Sequence, residues 1–525
     1  MLATNQIKKD YWEKFSVSAK DIEYIYNLLL EKEIPLSSEE LIRSLISNRI
    51  VLERQEAQNK LQDKNDIYLP KNIFKTGDKL IFPSYEMKVG VIQGTRDGFN
   101  PDYEKLVVLD VEFESGEKRS FASNVSDHPL NHILDISDDD PNYDLALIFE
   151  NHQQKLTDTI ESSLQKNEDL VKIAGNWFPR SLLVDVHVGI LNLAEAILEE
   201  AKGGPIGTAA LMNQADLNAN VDKKLLEFSF NLALQEDDRF DEVGPAGETL
   251  WYLHAMEPDS VKNVPLFLIY GEEAIDSSSL TEYLEVFEDN IYDELETWDS
   301  EGNQNNRIII SLSFPHWRSG TLPLSNTIKK MFPTAHEAPR VKFTFIDENE
   351  EDNFPGWVVR KHKYIFGLKK WYEDNDLMPG SLVTVEKGKN PGEINISFEK
   401  SRQNKEWVKT VLIGSDQAVV FAMLKQSISA NFNERMAISV TDIDALDVLW
   451  DKKVYLKEPI QKTVTRIMRE LAKLNPQGQV HAQELYAAVN VVRRCPPSMI
   501  VHQLITNPAI EHLGDLYFKF GDKEK

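Results

Sequence analysis

The sequence predicts a multidomain α+β protein, and three observations carry that prediction. The chain has 525 residues, more than one hydrophobic core can span. Apolar spacing switches repeatedly between the three-to-four period of a helix and the alternation of a strand. One element order, three short helices closed by a two-stranded hairpin, occurs twice, and it is the minimal form of a winged helix–turn–helix.

In chain order, residues 1–65 read as helical and could form a helix–turn–helix. Ile22, Ile25, Tyr26, Leu29 and Leu30 make a stripe, Pro35 breaks it, and Ser37 or Ser38 followed by Glu40 resembles a capping box. A third helix is expected from about Ile50. Over 66–130 the period becomes two. Five short strands, among them Lys79–Phe82, Val89–Ile92, Leu106–Phe113 and Arg119–Phe121, are separated by turns at Gly77-Asp78, Asp97-Gly98 and Ser115-Gly116, which suggests a small SH3-like barrel. Residues 131–178 read as a helical connector.

The first winged unit is placed at 179–258. Val184, Val188, Leu191, Ala194, Ile197 and Leu198 stripe one helix, Gly203-Gly204-Pro205 stops it, and Thr208 opens a short second helix. Leu225, Leu226, Phe228 and Leu232 mark a third, and Phe240–Val243 with Leu250–Leu253 form the hairpin. After a strand-like Val264–Tyr270, the stretch 259–305 is an acidic helical segment with Leu280, Leu284, Phe287, Ile291, Leu295 and Trp298 on one face. Residues 306–402 are strand-rich around Tyr364–Ser381. Residues 403–525 hold the second winged unit, with Val464, Ile467, Met468 and Leu471 on its first helix and Leu516-Tyr517-Phe518 in its hairpin.

The order of the middle unit, with Arg239, Phe240, Val243, Gly244, Trp251 and Leu253, is similar to the HARE helix–turn–helix domains of the bacterial RNA polymerase delta subunit and of some chromatin and restriction proteins. The run Thr76–Gly94 looks like barrels that accompany transcription and chromatin factors. A Gly367-Leu368-x-x-Trp371 helix leading through Asn375-Asp376-Leu377 to Gly380 resembles the DNA-binding pseudobarrel of plant auxin-response factors and some restriction enzymes. That resemblance implies a barrel end plugged by Leu368 and Trp371, a tight turn at Gly380, and DNA contacts from Arg318, Arg360, Lys361 and Lys363. The acidic loop Asp347–Asp352 departs from the pattern. In the last unit, Lys462, Arg466, Arg469, Lys473, Arg493 and Arg494 give a more basic character than the Glu236-Asp237-Asp238 end of the middle copy, so Arg466, Arg469, Arg493 and Arg494 complete the expected nucleic-acid contacts.

A net charge of −27 argues against nonspecific coating of DNA, because an acidic body is repelled by phosphates. The lone Cys495 excludes internal disulfides, and no long apolar run is present, so a cytoplasmic protein without membrane contact is expected. Chemistry-bearing motifs fail one by one. Gly203–Gly207 lacks the Lys-Ser/Thr of a phosphate loop; Pro101-Asp102 lacks a following Glu-x-Lys; Pro129 spoils a helix bearing His128 and His132. No catalytic, cofactor or metal residues are expected, and no enzyme. The sequence thus points to a modular, transcription-associated protein that binds double-stranded DNA. The alternative is an acidic interaction scaffold of RNA polymerase or a defence complex, without DNA contact.

Overall fold

A computed structural model describes residues 10–62, 67–82, 85, 88–100, 106–132, 141–218, 220–271, 280–287, 290–296, 306–335, 337–350, 352–415 and 417–521. They fall into two compact units, residues 1–184 with 221–228, and residues 185–220 with 229–525. The architecture is mixed α+β with several separate sheets.

In the first unit, helix Ala19–Lys32 starts in a Ser18–Asp21 capping box and ends at Glu33, whose left-handed φ of 55° turns the chain into the short strand Leu36–Ser37. Ser37 and Glu40 exchange the same reciprocal bonds, and helix Ser38–Gln62 follows. The separate helix expected from Ile50 is absorbed into it, since neither Gly nor Pro interrupts residues 38–62. Strands Lys79–Phe82, Lys88–Gly98, Leu106–Phe113 and Lys118–Ser123 then pair in sequential order, four among the described residues where five were expected. Tyr68, Phe82, Phe113 and Phe121 fill this curled sheet with ring contacts of 4.4–6.0 Å.

The stretch expected to be a connector is different. Asp144 caps helix Leu145–Leu164, and a hairpin, Leu170–Ile173 with Asn176–Pro179, follows. Its second strand pairs with Leu36–Ser37, Leu36 opposite Trp177. The Trp177 indole donates to Ser38 Oγ at 2.9 Å. Residues 19–62 and 145–179 are therefore two halves of one three-helix unit, and the curled sheet is an insertion between them.

In the second unit the same order recurs: helix Val188–Glu200, strand Ile206–Gly207, helix Thr208–Gln214, helix Lys223–Gln235 spanning the division, then strands Phe240–Glu242 and Leu250–Leu253. It recurs again as helix Ile460–Ala472, strand Val480–His481, helices Ala482–Val492 and Pro497–Thr506, and strands Ile510–Gly514 and Tyr517–Phe520. In each of the three sheets the short first strand lies beside the last, and the last beside the middle one. The two copies expected are three. Trp251 repeats the role of Trp177, donating to Thr208 Oγ1 at 3.1 Å and Asn231 Oδ1 at 3.0 Å.

Between the middle and last helical units in sequence comes a seven-stranded sheet in the order Arg307–Ser311, Leu382–Lys387, Glu393–Phe398, Arg340–Asp347, Asp352–Val359, Tyr364–Phe366, Thr321–Pro323. It curls around a core that includes Val341, Phe343, Ile365 and Ile396, against which Leu368 and Trp371 pack. Gly380 has a φ of 96°, and a Cβ there would stand 2.5 Å from Ala437 Cα, so only glycine fits the turn into Leu382.

Three expectations change here. Ahead of the three C-terminal helices, residues 403–459 hold most of a long hairpin, Lys400–Ile413 with Val419–Ala430, then strand Ile438–Val440 and helix Ile443–Asp451, and Val411, Phe421, Leu446 and Trp450 share one core with Val464, Leu485 and Phe518. Among the described residues the acidic segment is α-helical only over Asp259–Lys262 and Thr281–Phe287, although Leu280, Leu284, Phe287 and Ile291 are buried as their spacing predicts. Trp298 lies outside the described residues. Val264–Tyr270 contains a 3-10 turn at Leu266–Leu268 instead of a strand, because Pro265 removes a ladder donor. Among the described residues no helix is long and apolar enough to cross a membrane.

Candidate nucleic-acid interface

The eight cations expected to contact DNA do not form one surface. Arg494 is fully buried at the end of helix Ala482–Val492. Its Nη2 donates to Asp293 Oδ1 at 2.6 Å and Glu294 Oε1 at 2.9 Å, and its Nη1 to Asn490 Oδ1 at 3.0 Å. Tyr486 OH donates to the other Asp293 oxygen at 2.8 Å, and His316 Nε2 lies 2.8 Å from Glu294 Oε2. Burial opposes ionisation of Glu294, but Arg494 and His316 outweigh it and hold the carboxyl below the usual range. Burial, then Asp293, pushes the nearby Glu296 carboxyl up. This buried network ties the acidic segment to helix Phe314–Ser319 and to the C-terminal helices.

Arg493 is also buried, donating Nη1 to the carbonyls of Glu458 at 2.7 Å and Tyr455 at 3.3 Å. Neither arginine reaches solvent, which corrects the expectation that they face phosphate. They follow helix Ala482–Val492, in which every residue but Glu484 is buried, so the chain leaves that helix inside the core. Arg318 is three-quarters buried, paired with Asp447 and lying over Phe267. Arg466 is exposed but paired with Glu458 over Tyr455, and exposed Arg469 lies over Phe520.

What stays open to solvent is the turn Arg360–Lys363 between two strands of the seven-stranded sheet. Arg360 Nη1 donates to the Ala338 carbonyl at 2.8 Å, while Lys361, His362 and Lys363 are exposed. Partial burial, then Lys361 and Arg340, pushes the His362 pKa down. Among the described residues no carboxylate lies within ion-pair distance of Lys361 or Lys363.

One further cluster went unpredicted. Ligand atoms of Asp241, His254 and Glu257 all lie within 4.8 Å of one another, a spacing that could hold a metal ion. A cation is already in place: Arg340 Nη1 donates to Asp241 Oδ2 at 2.8 Å and to Glu257 Oε2 at 2.9 Å. His254 Nδ1 lies 2.7 Å from the same Asp241 oxygen. Burial first, and Asp241 second, push the Glu257 carboxyl well above its ordinary range. The arrangement is an ion network that joins strand Phe240–Glu242 to the seven-stranded sheet. Asp241, His254 and Glu257 lie close in sequence but match no motif, and Arg340 is 99 residues from Asp241, so no sequence signal joins the four. No known protein family, curated protein or solved structure matches the chain.

Proposed function

We propose that this is an acidic, modular docking protein that carries three winged helix–turn–helix units, an SH3-like barrel and a pseudobarrel, and that it binds a basic protein partner within a cytoplasmic transcription-type or defence assembly. The sheet order shared by the three helical units supports the winged-helix reading. One observation carries the choice of protein over nucleic acid: the arginines best placed by sequence to meet phosphate are spent inside the fold, Arg494 and Arg493 wholly and Arg318 largely. Two of the three third helices, which in DNA readers of this type enter the major groove, agree with it, whereas Lys223–Gln235 opens on Lys223 and Lys224. Pro497–Thr506 has no Lys or Arg, and Leu145–Leu164 sets Lys155 against Glu150, Asp158 and Glu161. With a net charge of −27, the long-range field attracts basic partners and repels polyphosphate.

A pull-down of the full chain with and without nuclease treatment tests this. Partners retained after nuclease support docking through protein; loss of every partner refutes it. The second reading, contact with double-stranded DNA, is favoured by the exposed turn at Lys361, His362 and Lys363. On that reading, fluorescence anisotropy at ~50 mM salt detects duplex binding that Lys361→Glu/Lys363→Glu abolishes, since about two phosphate contacts go with the two lysines. No anisotropy change for the unaltered chain eliminates it.

A further inference from the structure

At one end of the seven-stranded sheet lies a cavity of about 390 Å³ that none of the preceding assignments uses. Aromatic side chains form its walls: Phe354 and Trp357 from strand Asp352–Val359, Phe366 from the end of strand Tyr364–Phe366, and Trp371 from helix Lys369–Asp374. The Trp371 ring is fixed, because its indole N–H donates to Asp347 Oδ2 at 2.8 Å. The Asn349 N–H holds the other Asp347 oxygen at 2.9 Å.

Carboxylates surround these rings. Besides Asp347, the lining includes Glu350, Asp352 and Asp374, and among the described residues no lysine or arginine lies within ion-pair distance of those three. Two cations share the lining. Lys369 Nζ is turned away, donating to the Arg318 carbonyl at 3.2 Å and lying 3.4 Å from Glu373. Lys370 is exposed at the rim. Four carboxylates against two ammonium groups leave the lining net negative, two charges to the acid side.

We infer that this cavity binds an aliphatic organic cation, an ammonium group carried on an alkyl chain. The ring faces offer negative π-density and apolar contact for the methylenes, and the unpaired carboxylates neutralise the charge. An anion meets repulsion from the rim, and a bare divalent metal finds too few oxygen ligands among aromatic walls. The volume lies in the range of small-molecule sites, and the fixed indole means little ordering on binding. The cation has two sources, a free diamine or a lysine side chain on a partner. The inference stands on the cavity and does not rest on the docking reading: a diamine here leaves that reading untouched, and docking elsewhere leaves the cavity untouched.

Isothermal titration of the full chain tests it with pentane-1,5-diamine, N-acetyl-lysine methylamide and pentanedioate as probes. One or both amines should bind with a Kd between roughly 10 μM and 1 mM, and the dianion should not. Tighter binding of the diamine assigns a free amine, and tighter binding of the lysine derivative a partner's side chain; either supports the inference. The triple variant Glu350→Gln/Asp352→Asn/Asp374→Asn, confined to rim carboxylates without ion pairs, should weaken the amine about tenfold or more. Lys370→Ala should strengthen it several-fold by removing the competing charge. Failure of both amines to bind overturns the inference, as does pentanedioate binding as well as an amine, or an unchanged affinity in a triple variant whose circular dichroism matches the parent.

Discussion

Replacing His481 by Ser should remove a pH dependence from the C-terminal helical unit. His481 is the N-cap of helix Ala482–Val492: its Nδ1 accepts the Gln483 N–H at 3.2 Å, and the Glu484 carboxylate returns a bond to the His481 N–H at 3.5 Å. Accepting that bond requires a neutral ring. Burial, reinforced by Arg435, pushes the His481 pKa down to about 4, while an opened chain titrates near the ordinary 6.5. The sign follows. Above 6.5 neither state takes a proton and the cap contributes fully; as pH falls toward about 4 the opened state gains a proton the native ring refuses, and stability is lost. The gap between the two values corresponds to about 3 kcal/mol. Serine keeps a cap acceptor, reproduces the Ser37–Glu40 box of the first unit and cannot titrate. Amide hydrogen exchange of residues 482–492 in the full chain, corrected for intrinsic rates, measures the opening free energy. Between about pH 7 and about pH 4.5 the parent should lose roughly 2–3 kcal/mol more than the variant. The variant itself pays a constant cost at every pH, from the lost contact of the ring with Tyr517 at 4.9 Å. Equal pH slopes in parent and variant would refute the reasoning.

Other substitutions probe the remaining features. Arg494→Met leaves Asp293 without a cation and Glu294 with His316 alone, and should cost about 3–5 kcal/mol, seen as a lowered thermal transition or loss of soluble chain. A transition within a degree or so of the parent would return Arg494 to the surface. Gly380→Ala places a Cβ 2.5 Å from Ala437 Cα at a φ of 96°, and a loss of about 1–3 kcal/mol should appear in urea unfolding monitored at the seven-stranded sheet. No change in that transition contradicts the turn geometry. Trp251→Phe removes the donor shared by Thr208 and Asn231, which still bond each other at 2.6 Å, so the cost should be about 1–3 kcal/mol by hydrogen exchange in residues 206–214 and 250–253. Unaltered protection there would show the indole bond to be dispensable.

How much of this was legible follows from how local the signals are. The helices of the middle and last units could be read because their apolar spacing, Gly-Gly-Pro and Asn-Pro breaks and closing hairpins all lie within about seventy residues. The first unit was read as a helical segment and a connector because its halves are separated by the inserted sheet; a Trp after Gly175-Asn176, echoing Gly514-Asp515-Leu516-Tyr517 in the last hairpin, was the signal available. The acidic segment showed its apolar stripe but not its lack of helix over 290–296, where Asp293 bonds Tyr486 and Arg494. The cation assignments failed for a related reason. An arginine reads as basic whether it faces water or Asp293, and its partner lies two hundred residues away. The aromatic cavity is likewise made by sheet curvature, which brings Phe354 and Trp371 together although each reads as ordinary core.

The insertion within the first three-helix unit has a consequence for how the chain is made. Strand Leu36–Ser37 and the start of the following helix leave the ribosome well before their partner, since the Ser38–Trp177 bond spans 139 residues. At ordinary synthesis rates of ~5–20 residues per second, that is a delay of roughly 7–28 seconds. During it the faces that bury Leu41, Ile42, Leu45 and Ile46 have no sheet to cover them, while the inserted curled sheet, whose pairings are between neighbours, can close first. Once closed, it holds the two ends of its own chain together and shortens the effective loop the outer unit must shut. The insertion thus sets the order of folding as well as the layout: the inner domain is a preassembled hinge pin on which the interrupted one completes itself.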